Sequence, residues 1–159
     1  MQQRFFQAAQ KLSRHCGGHR ARRENIHLTL AFLGAVAPDS VERAMAVAAQ
    51  IQCSAFALEF DRLGWWQQNQ VAWAAPSATP RPLLDLYKAL QLGLVQEGFK
   101  FDERRFLPHV TLLRKAKCPG ALIHSEPLSW RADHFVLVRS TLQADGAHYA
   151  LLKRWALAV

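Results

Sequence analysis

One pattern occurs twice in this sequence and limits what the chain can fold into. Residues 26–34 read Ile-His-Leu-Thr-Leu-Ala-Phe-Leu-Gly, and residues 108–114 read Pro-His-Val-Thr-Leu-Leu-Arg. Side chains on a β-strand alternate between its two faces. In each copy a histidine and a threonine therefore share one face, while aliphatic residues take the other. Two such strands facing each other would place two histidines and two threonines around one small space.

The amino-acid composition is typical of a folded protein with an excess of positive charge. Half of the 159 residues are hydrophobic, so we expect one domain, 1–159, large enough for a real core. No run of about 18 apolar residues and no signal peptide are visible, which predicts no membrane association. The net charge of +8 suits a polyanionic partner, although charge alone is equally typical of a merely basic protein. Arg20-Ala21-Arg22-Arg23 is more typical of a solvated turn than of a phosphate contact.

The cysteines give a prediction about compartment. Cys16, Cys53 and Cys118 are odd in number and none lies close to another in sequence. They are typical of free thiols in a reducing compartment, which favours a cytoplasmic protein. Their spacing does not fit a zinc site.

Periodicity and turn residues predict helices mixed with mostly antiparallel strands, an α+β fold. Residues 2–16 have apolar positions three and four apart and are predicted as a helix that Gly17-Gly18 ends. A second helix is predicted to begin at Asp39 as N-cap. Trp65 and Trp66 are expected in a hairpin loop, where core or rim packing is favoured over base stacking. The remaining predictions are strands at 56–61, 70–75, 106–113, 131–141 and 148–157, a helix from Pro80 to near Gly98, a variable loop at 118–128 and a turn at Asp145-Gly146.

The repeated pattern resembles the paired motifs of the 2H phosphoesterase superfamily. His27 to Gly34, Pro108 to Arg114 and Leu-Lys-Arg-Trp-Ala-Leu at 152–157 are similar to its bacterial RNA 2',3'-cyclic phosphodiesterase branch, also called 2'-5' RNA ligase. The resemblance implies two pseudo-symmetric lobes with helices outside, an active-site cleft between them and one motif strand from each lobe. Family members usually begin with an apolar strand. Phe5 and Phe6 lie too close to His27 to leave room for it, so we expect them in the helix and the first strand missing.

The residues themselves predict the chemistry. Hydrolysis of a cyclic phosphodiester is an in-line displacement that needs a base on one side of phosphorus and an acid on the other. Histidine serves either role near neutral pH, so His27 and His109 are the expected pair. Thr29 and Thr111 are expected to donate hydroxyls to the phosphate oxygens, and Arg114 to add a guanidinium. The resemblance implies that His27 is the proton donor and His109 the proton acceptor.

No cofactor and no metal are expected, because the sequence shows no carboxylate cluster for Mg²⁺, no zinc spacing and no Gly-rich phosphate loop. The expected partner is RNA or an oligonucleotide with a 2',3'-cyclic phosphate end, bound by a monomer. Two alternatives stay open: a metal site using His27 and His109, and a non-catalytic basic RNA-binding domain. The ligase direction would be the reverse reaction in the same site. His15, His19, His124, His134 and His148 lack the motif and are expected to be surface or strand-end histidines.

Overall fold

A computed structural model describes residues 1–101, 105–120, 122, 126–144 and 146–158. It contains helices and mostly antiparallel strands, which confirms the α+β prediction. The helices are α1 (Gln2–Cys16), α2 (Pro38–Ala49) and α3 (Arg81–Gln96), with a 3₁₀ turn at Arg23–Asn25. The strands are β1 (His19–Arg20), β2 (Phe56–Phe60), β3 (Arg62–Trp66), β4 (Val71–Ala75), β5 (Val110–Arg114), β6 (Leu128–Ala132), β7 (His134–Gln143) and β8 (Gly146–Ala156).

The chain forms two compact units. Unit 1 comprises Met1–Thr29, Leu58–Thr79 and Phe106–Trp130, and unit 2 comprises Leu30–Ala57, Pro80–Arg105 and Arg131–Val159. Strands β2 and β6 pair with each other in a separate two-stranded sheet. Both motifs, from His27 to Thr29 and from His109 to Thr111, belong to unit 1. This differs from the expected arrangement of one motif strand in each lobe.

Unit 1 is built on a four-stranded sheet in the order β1-β5-β4-β3, against which α1 packs. Helix α1 has the bounds predicted from its spacing, and it buries one stripe that consists of Phe5, Ala9, Leu12 and Cys16. Phe5 is completely buried and meets Phe60 and Trp130 with ring centroids 5.0 Å and 6.0 Å away. Phe5 and Phe6 are therefore helical, and no strand precedes α1 in the described chain, as predicted.

The first motif is not the strand that its alternation predicts. Residues 26–34, all of which the structure describes, make a single antiparallel bridge, from Leu28 to Val110. On this same edge, β5 is already paired with β1. Next to that pairing, the Leu112 carbonyl of β5 accepts a hydrogen bond from the Ala21 amide over 2.8 Å. The chain then leaves the sheet through the 3₁₀ turn at Arg23–Asn25 and returns only at Leu28. This excursion replaces a continuous strand. The second motif strand is also shorter than predicted, since β5 begins at Val110.

Two local predictions were wrong for identifiable reasons. Trp65 and Trp66 lie in strand β3, which pairs with β4 through a turn at 67–70. A two-tryptophan segment next to polar turn residues has strand propensity of its own, because aromatic residues suit a pleated surface. Helix α2 begins two residues earlier than expected: Ala37 is the N-cap and Pro38 the first helical residue, so Asp39 lies inside the first turn and is not the capping residue. Proline at that position is pre-organised for a helix start.

The expectation of three free thiols was also wrong. Cys16, at the end of α1, forms a disulfide with Cys118, and their Cα atoms are 4.2 Å apart. The Lys117 amide donates to the Cys16 carbonyl over 2.9 Å, which brings the same two segments together. Gly18 lies between them with φ of +80°, and a Cβ there would come within 2.6 Å of the Arg114 carbonyl oxygen. Cys53 remains free.

Unit 2 contains α2, α3 and the long β7–β8 hairpin, whose paired residues run from His134 and Ala156 to Gln143 and Gly146. The two helices pack closely, and a Cβ at Gly93 would meet the Val47 side chain within 2.5 Å. The strands predicted at 131–141 and 148–157 exist with shifted ends, because Arg131 belongs to β6. Asp145 of the predicted turn, His124 and part of the 118–128 loop lie outside the described residues. No helix in the described part of the chain is long and apolar enough to cross a membrane.

Candidate active site

The bridge between Leu28 and Val110 brings the two motifs side by side. Because it is antiparallel, the residue before Leu28 lies beside the residue after Val110, and the reverse holds on the other side. His27 is therefore next to Thr111, and Thr29 is next to His109. Leu28 is half-buried and Val110 completely buried, which places both on the inner face. The four polar side chains consequently share the opposite face.

The two histidines are held in the same way. Nδ1 of His27 lies 2.6 Å from the Asn25 carbonyl oxygen, and Nδ1 of His109 lies 2.8 Å from the Leu107 carbonyl oxygen. A carbonyl oxygen only accepts, so Nδ1 carries a proton and donates in both rings. In a neutral imidazole this leaves Nε2 unprotonated. Nε2 is therefore the atom through which each histidine can accept or deliver a proton.

Thr29 lies next to Nε2 of His27. Its Oγ1 is 3.1 Å from His27 Nε2, and both side chains are exposed. A ligand oxygen that reaches Nε2 would thus also come within reach of a hydroxyl donor. Thr111 is half-buried beside them on β5.

His109 has an environment that favours its neutral form. Burial is the main cause that lowers its pKa, and the nearby positive charges of His27 and Arg114 lower that pKa further. The hydrogen bond to the Leu107 carbonyl acts in the opposite direction but does not outweigh burial. The charges of His27 and Arg114 are thus close enough to influence His109. A neutral imidazole with a free Nε2 lone pair is suited to act as a base.

A β-bulge in β5 changes which way its last residues point. Ala72 of β4 lies opposite Leu113, and the next residue, Trp73, lies opposite Thr111. Leu112 is thus an extra residue in β5, the arrangement of a β-bulge. Leu112 and Leu113 are both completely buried, although they are consecutive, which strict alternation would not allow.

The bulge returns Arg114 to the face of the motif side chains. By strict alternation Arg114 would lie on the face opposite His109 and Thr111. One extra residue shifts the alternation by one position, so Arg114 and Thr111 share a face. His19 of β1 lies directly opposite Arg114 and takes the same face, although its sequence context predicted no role. Arg114 is exposed and can reach an anionic ligand.

Sequence reasoning did not anticipate the contact of Trp66 with His109. Its ring centroid is 4.7 Å from that of His109 in an edge-to-face arrangement. Trp65 points to the other face, where its Nε1 donates to the Ala116 carbonyl over 3.1 Å. Strand alternation would have separated the two tryptophans, had the segment been assigned to a strand.

All five predicted site residues lie in unit 1: His27, Thr29, His109, Thr111 and Arg114. Within the described residues, no group of three or more His, Cys, Asp or Glu side chains is arranged to hold a metal ion. The two-histidine metal site therefore lacks a third protein ligand there. His134, a histidine outside the two motifs, pairs with Asp133, with Nδ1 and Oδ1 2.5 Å apart.

Comparison with known proteins agrees with this geometry. The profile of the 2'-5' RNA ligase superfamily matches residues 1–144. The RNA 2',3'-cyclic phosphodiesterase of Escherichia coli K12 is 34% identical over 136 residues, 84% of this chain and 77% of that protein. The Thermotoga maritima protein of the same name is 31% identical over 140 residues, 81% of this chain and 74% of its own.

Solved structures are similar over nearly the whole chain. A crystal structure described as a phosphoesterase has a TM-score of 0.88 at 30% identity and covers 100% of this chain and 94% of its own. E. coli LigT complexed with 3'-AMP has a TM-score of 0.84 at 30% identity, with 97% of this chain and 91% of that chain covered. Sequence and fold therefore agree that the chain belongs to the 2'-5' RNA ligase superfamily, the family of 2H phosphoesterases.

Proposed function

We propose that this protein hydrolyses the 2',3'-cyclic phosphodiester at an RNA end to a 2'-phosphomonoester, with His27 and His109 as acid and base. The observation that carries the proposal is the antiparallel bridge that sets His27 beside Thr111 and Thr29 beside His109. Relatives that are 27–34% identical to this chain bear the name RNA 2',3'-cyclic phosphodiesterase. That name supports the choice of substrate.

Each histidine has one step in the displacement. His109 accepts a proton from water at Nε2, and the water oxygen attacks phosphorus. The bond from phosphorus to the ribose 3'-oxygen breaks on the opposite side, and protonated His27 delivers its Nε2 proton to that oxygen. The product carries a 2'-phosphate and a free 3'-hydroxyl. The lowered pKa of His109, caused mainly by burial, supports its role as the base.

The phosphate oxygens need hydrogen-bond donors as their charge distribution changes. Thr29 would supply a hydroxyl next to His27 Nε2, and Thr111 a second one from the same face of the sheet; donors preorganised in this way stabilise a transition state. Arg114 would contribute a guanidinium from the same face of the sheet. A planar fork of N–H groups matches phosphate oxygens and adds to the neutralising charge.

The proposal is tested with a defined oligoribonucleotide that ends in a 2',3'-cyclic phosphate. The purified protein should open the ring without nucleotide triphosphate and should retain its rate in EDTA, because two imidazoles and hydroxyl donors suffice. Chromatography against 2'- and 3'-phosphate standards should identify the 2'-phosphate. Loss of turnover in EDTA that Zn²⁺ or Mg²⁺ restores would overturn the metal-free mechanism. A 3'-phosphate product would overturn the assigned roles.

The same assay separates the remaining alternatives. A non-catalytic RNA-binding domain would retain the oligonucleotide without opening its ring. Ligation is the reverse reaction and would join a 2',3'-cyclic end to a 5'-hydroxyl end in the same site. The cytoplasmic location and the monomeric state expected from the sequence remain predictions, and sedimentation of the purified protein tests the second.

A further inference from the structure

We propose that Trp66 is the positioning residue of His109: its indole holds the imidazole in place and keeps water from it. The proposal rests on the catalytic role proposed for His109. Trp66 lies on β3, two strands away from β5 in the sheet. Its side chain reaches His109 on the sheet face that the two side chains share.

The register of the sheet places Trp66 on the face of the motif side chains. In an antiparallel pair, residues directly opposite each other point to the same face. Gly64 lies opposite Trp73, and Trp73 lies opposite Thr111. Trp66 is two residues from Gly64 and therefore shares this face. The ring contact between Trp66 and His109, with centroids 4.7 Å apart and planes at 78°, agrees with this register.

A second aromatic ring supports Trp66 from behind. The Trp66 and Trp73 centroids are 5.4 Å apart, with the ring planes tilted by 43°. The Trp73 indole lies over Gly64, where a Cβ would overlap the ring. The missing side chain at position 64 thus makes room for Trp73. The result is a continuous row in which Trp73 supports Trp66 and Trp66 contacts His109.

This row fixes His109 together with the hydrogen bond at its Nδ1. The Leu107 carbonyl holds one edge of the imidazole at 2.8 Å, and the indole limits rotation of the ring. Nε2 then keeps its direction. The indole also displaces water from His109, which agrees with the lowering of its pKa by burial. Removing the indole should therefore loosen the ring and hydrate it.

The first test follows His109 by NMR titration of the imidazole without substrate, so its result does not depend on the catalytic role. In Trp66→Ala the pKa of His109 should rise relative to wild type, since desolvation of the charged form is relieved. Trp66→Phe keeps an aromatic ring and should show a smaller rise. An unchanged pKa would overturn the proposal. So would a fall, because it would mean that the indole stabilises the imidazolium through its π face.

The second test is the pH profile of kcat/KM. Trp66→Ala should lose roughly 10–100-fold at the optimum, the scale of a displaced catalytic group, and its acid limb should move to higher pH. Trp65→Phe is the matched control. It removes the hydrogen bond from the Trp65 indole to the Ala116 carbonyl, which lies on the face of the sheet opposite to Trp66. It should leave the acid limb in place even if the protein is less stable. A rise in KM with an unchanged pH profile would assign Trp66 to substrate stacking and overturn the positioning role.

Discussion

At the scale of single residues, the site depends on two imidazoles whose Nδ1 atoms are both held by a carbonyl oxygen two residues earlier in the chain. Asn25 serves His27 and Leu107 serves His109. The two copies of the motif thus share a hydrogen bond from Nδ1 to a backbone carbonyl, which the side-chain identities alone do not reveal. It fixes the same tautomer in both rings, with the proton on Nδ1.

Removing either imidazole should show whether the pair is catalytic. His27→Ala and His109→Ala should each lower kcat on the cyclic phosphate by roughly 10²–10⁴, the usual effect of a positioned acid or base. The double variant should lose less than the product of the two, because both groups act on one transition state. His134→Ala, at a histidine paired with Asp133, is the matched control and should keep its rate. Near-wild-type turnover in both single variants would refute the catalytic assignment.

The pH dependence should reflect the low pKa of His109. The acid and the base must be in opposite protonation states, so kcat/KM should be bell-shaped, with apparent pKa values that belong to the coupled pair. Burial lowers the pKa of His109, so the base stays unprotonated further into acid. The acid limb should therefore lie below 6.5, the usual histidine value. Initial rates across the pH range check this, and a limb above that value would contradict the role of His109 as the buried base.

At the scale of secondary-structure elements, the disulfide joins the end of α1 to the segment that follows β5. Cys16 and Cys118 are both buried and are separated by 102 positions in the chain. The link closes a ring that includes both motifs. It belongs to the same unit as the site and ties its helix to the strand that carries Thr111.

Reduction should destabilise the protein without removing catalytic groups. In the chain-entropy account, a ring of this length contributes on the order of 4–5 kcal/mol to the free energy of unfolding, as an upper estimate. Urea unfolding with and without dithiothreitol measures it in the wild type. Cys16→Ser/Cys118→Ser should resemble the reduced wild type and no longer respond to the reductant, whereas Cys53→Ser should respond fully. Equal stability of the wild type under both conditions would mean that the disulfide contributes nothing.

At the scale of the whole molecule, the net charge of +8 concerns how the substrate is held. Basic residues in unit 1 flank the first motif on its N-terminal side and follow the second motif. Arg20 lies over the Phe6 ring at 5.4 Å, which fixes its stem while its charge stays exposed. Charge on this scale favours a polyanion over a mononucleotide.

Salt should therefore discriminate between substrates. Each phosphate neutralised on a single strand releases counterions and contributes a slope of about −0.7 to log K against log salt. We expect kcat/KM for an oligoribonucleotide to fall more steeply with salt than that for a 2',3'-cyclic mononucleotide. Arg20→Gln/Arg23→Gln should flatten the difference. Arg81→Gln, at a residue paired with Asp85 over 2.8 Å, is the control. Equal slopes for both substrates would refute phosphate contacts beyond the reacting one.

Some features of this protein followed from local sequence alone. Helix α1 and the helical state of Phe5 and Phe6 were predictable because a helix needs apolar residues three and four apart, a pattern visible in one segment. The paired His-x-Thr motif identified His27 and His109 as candidates because alternation is also local. Both patterns depend only on neighbouring residues, so they can be recognised without knowledge of the fold.

Other features were decided only by tertiary structure. The bulge at Leu112 that turns Arg114 toward the site depends on how β5 registers with β4, and the contact of Trp66 with His109 depends on the same register. The bond between Cys16 and Cys118 and the presence of both motifs in one unit arise from pairings far apart in the chain. A one-residue shift in register moves a side chain to the opposite face, and no local pattern specifies that shift. The sequence thus determined which residues could react, and the register of the sheet determined which of them meet.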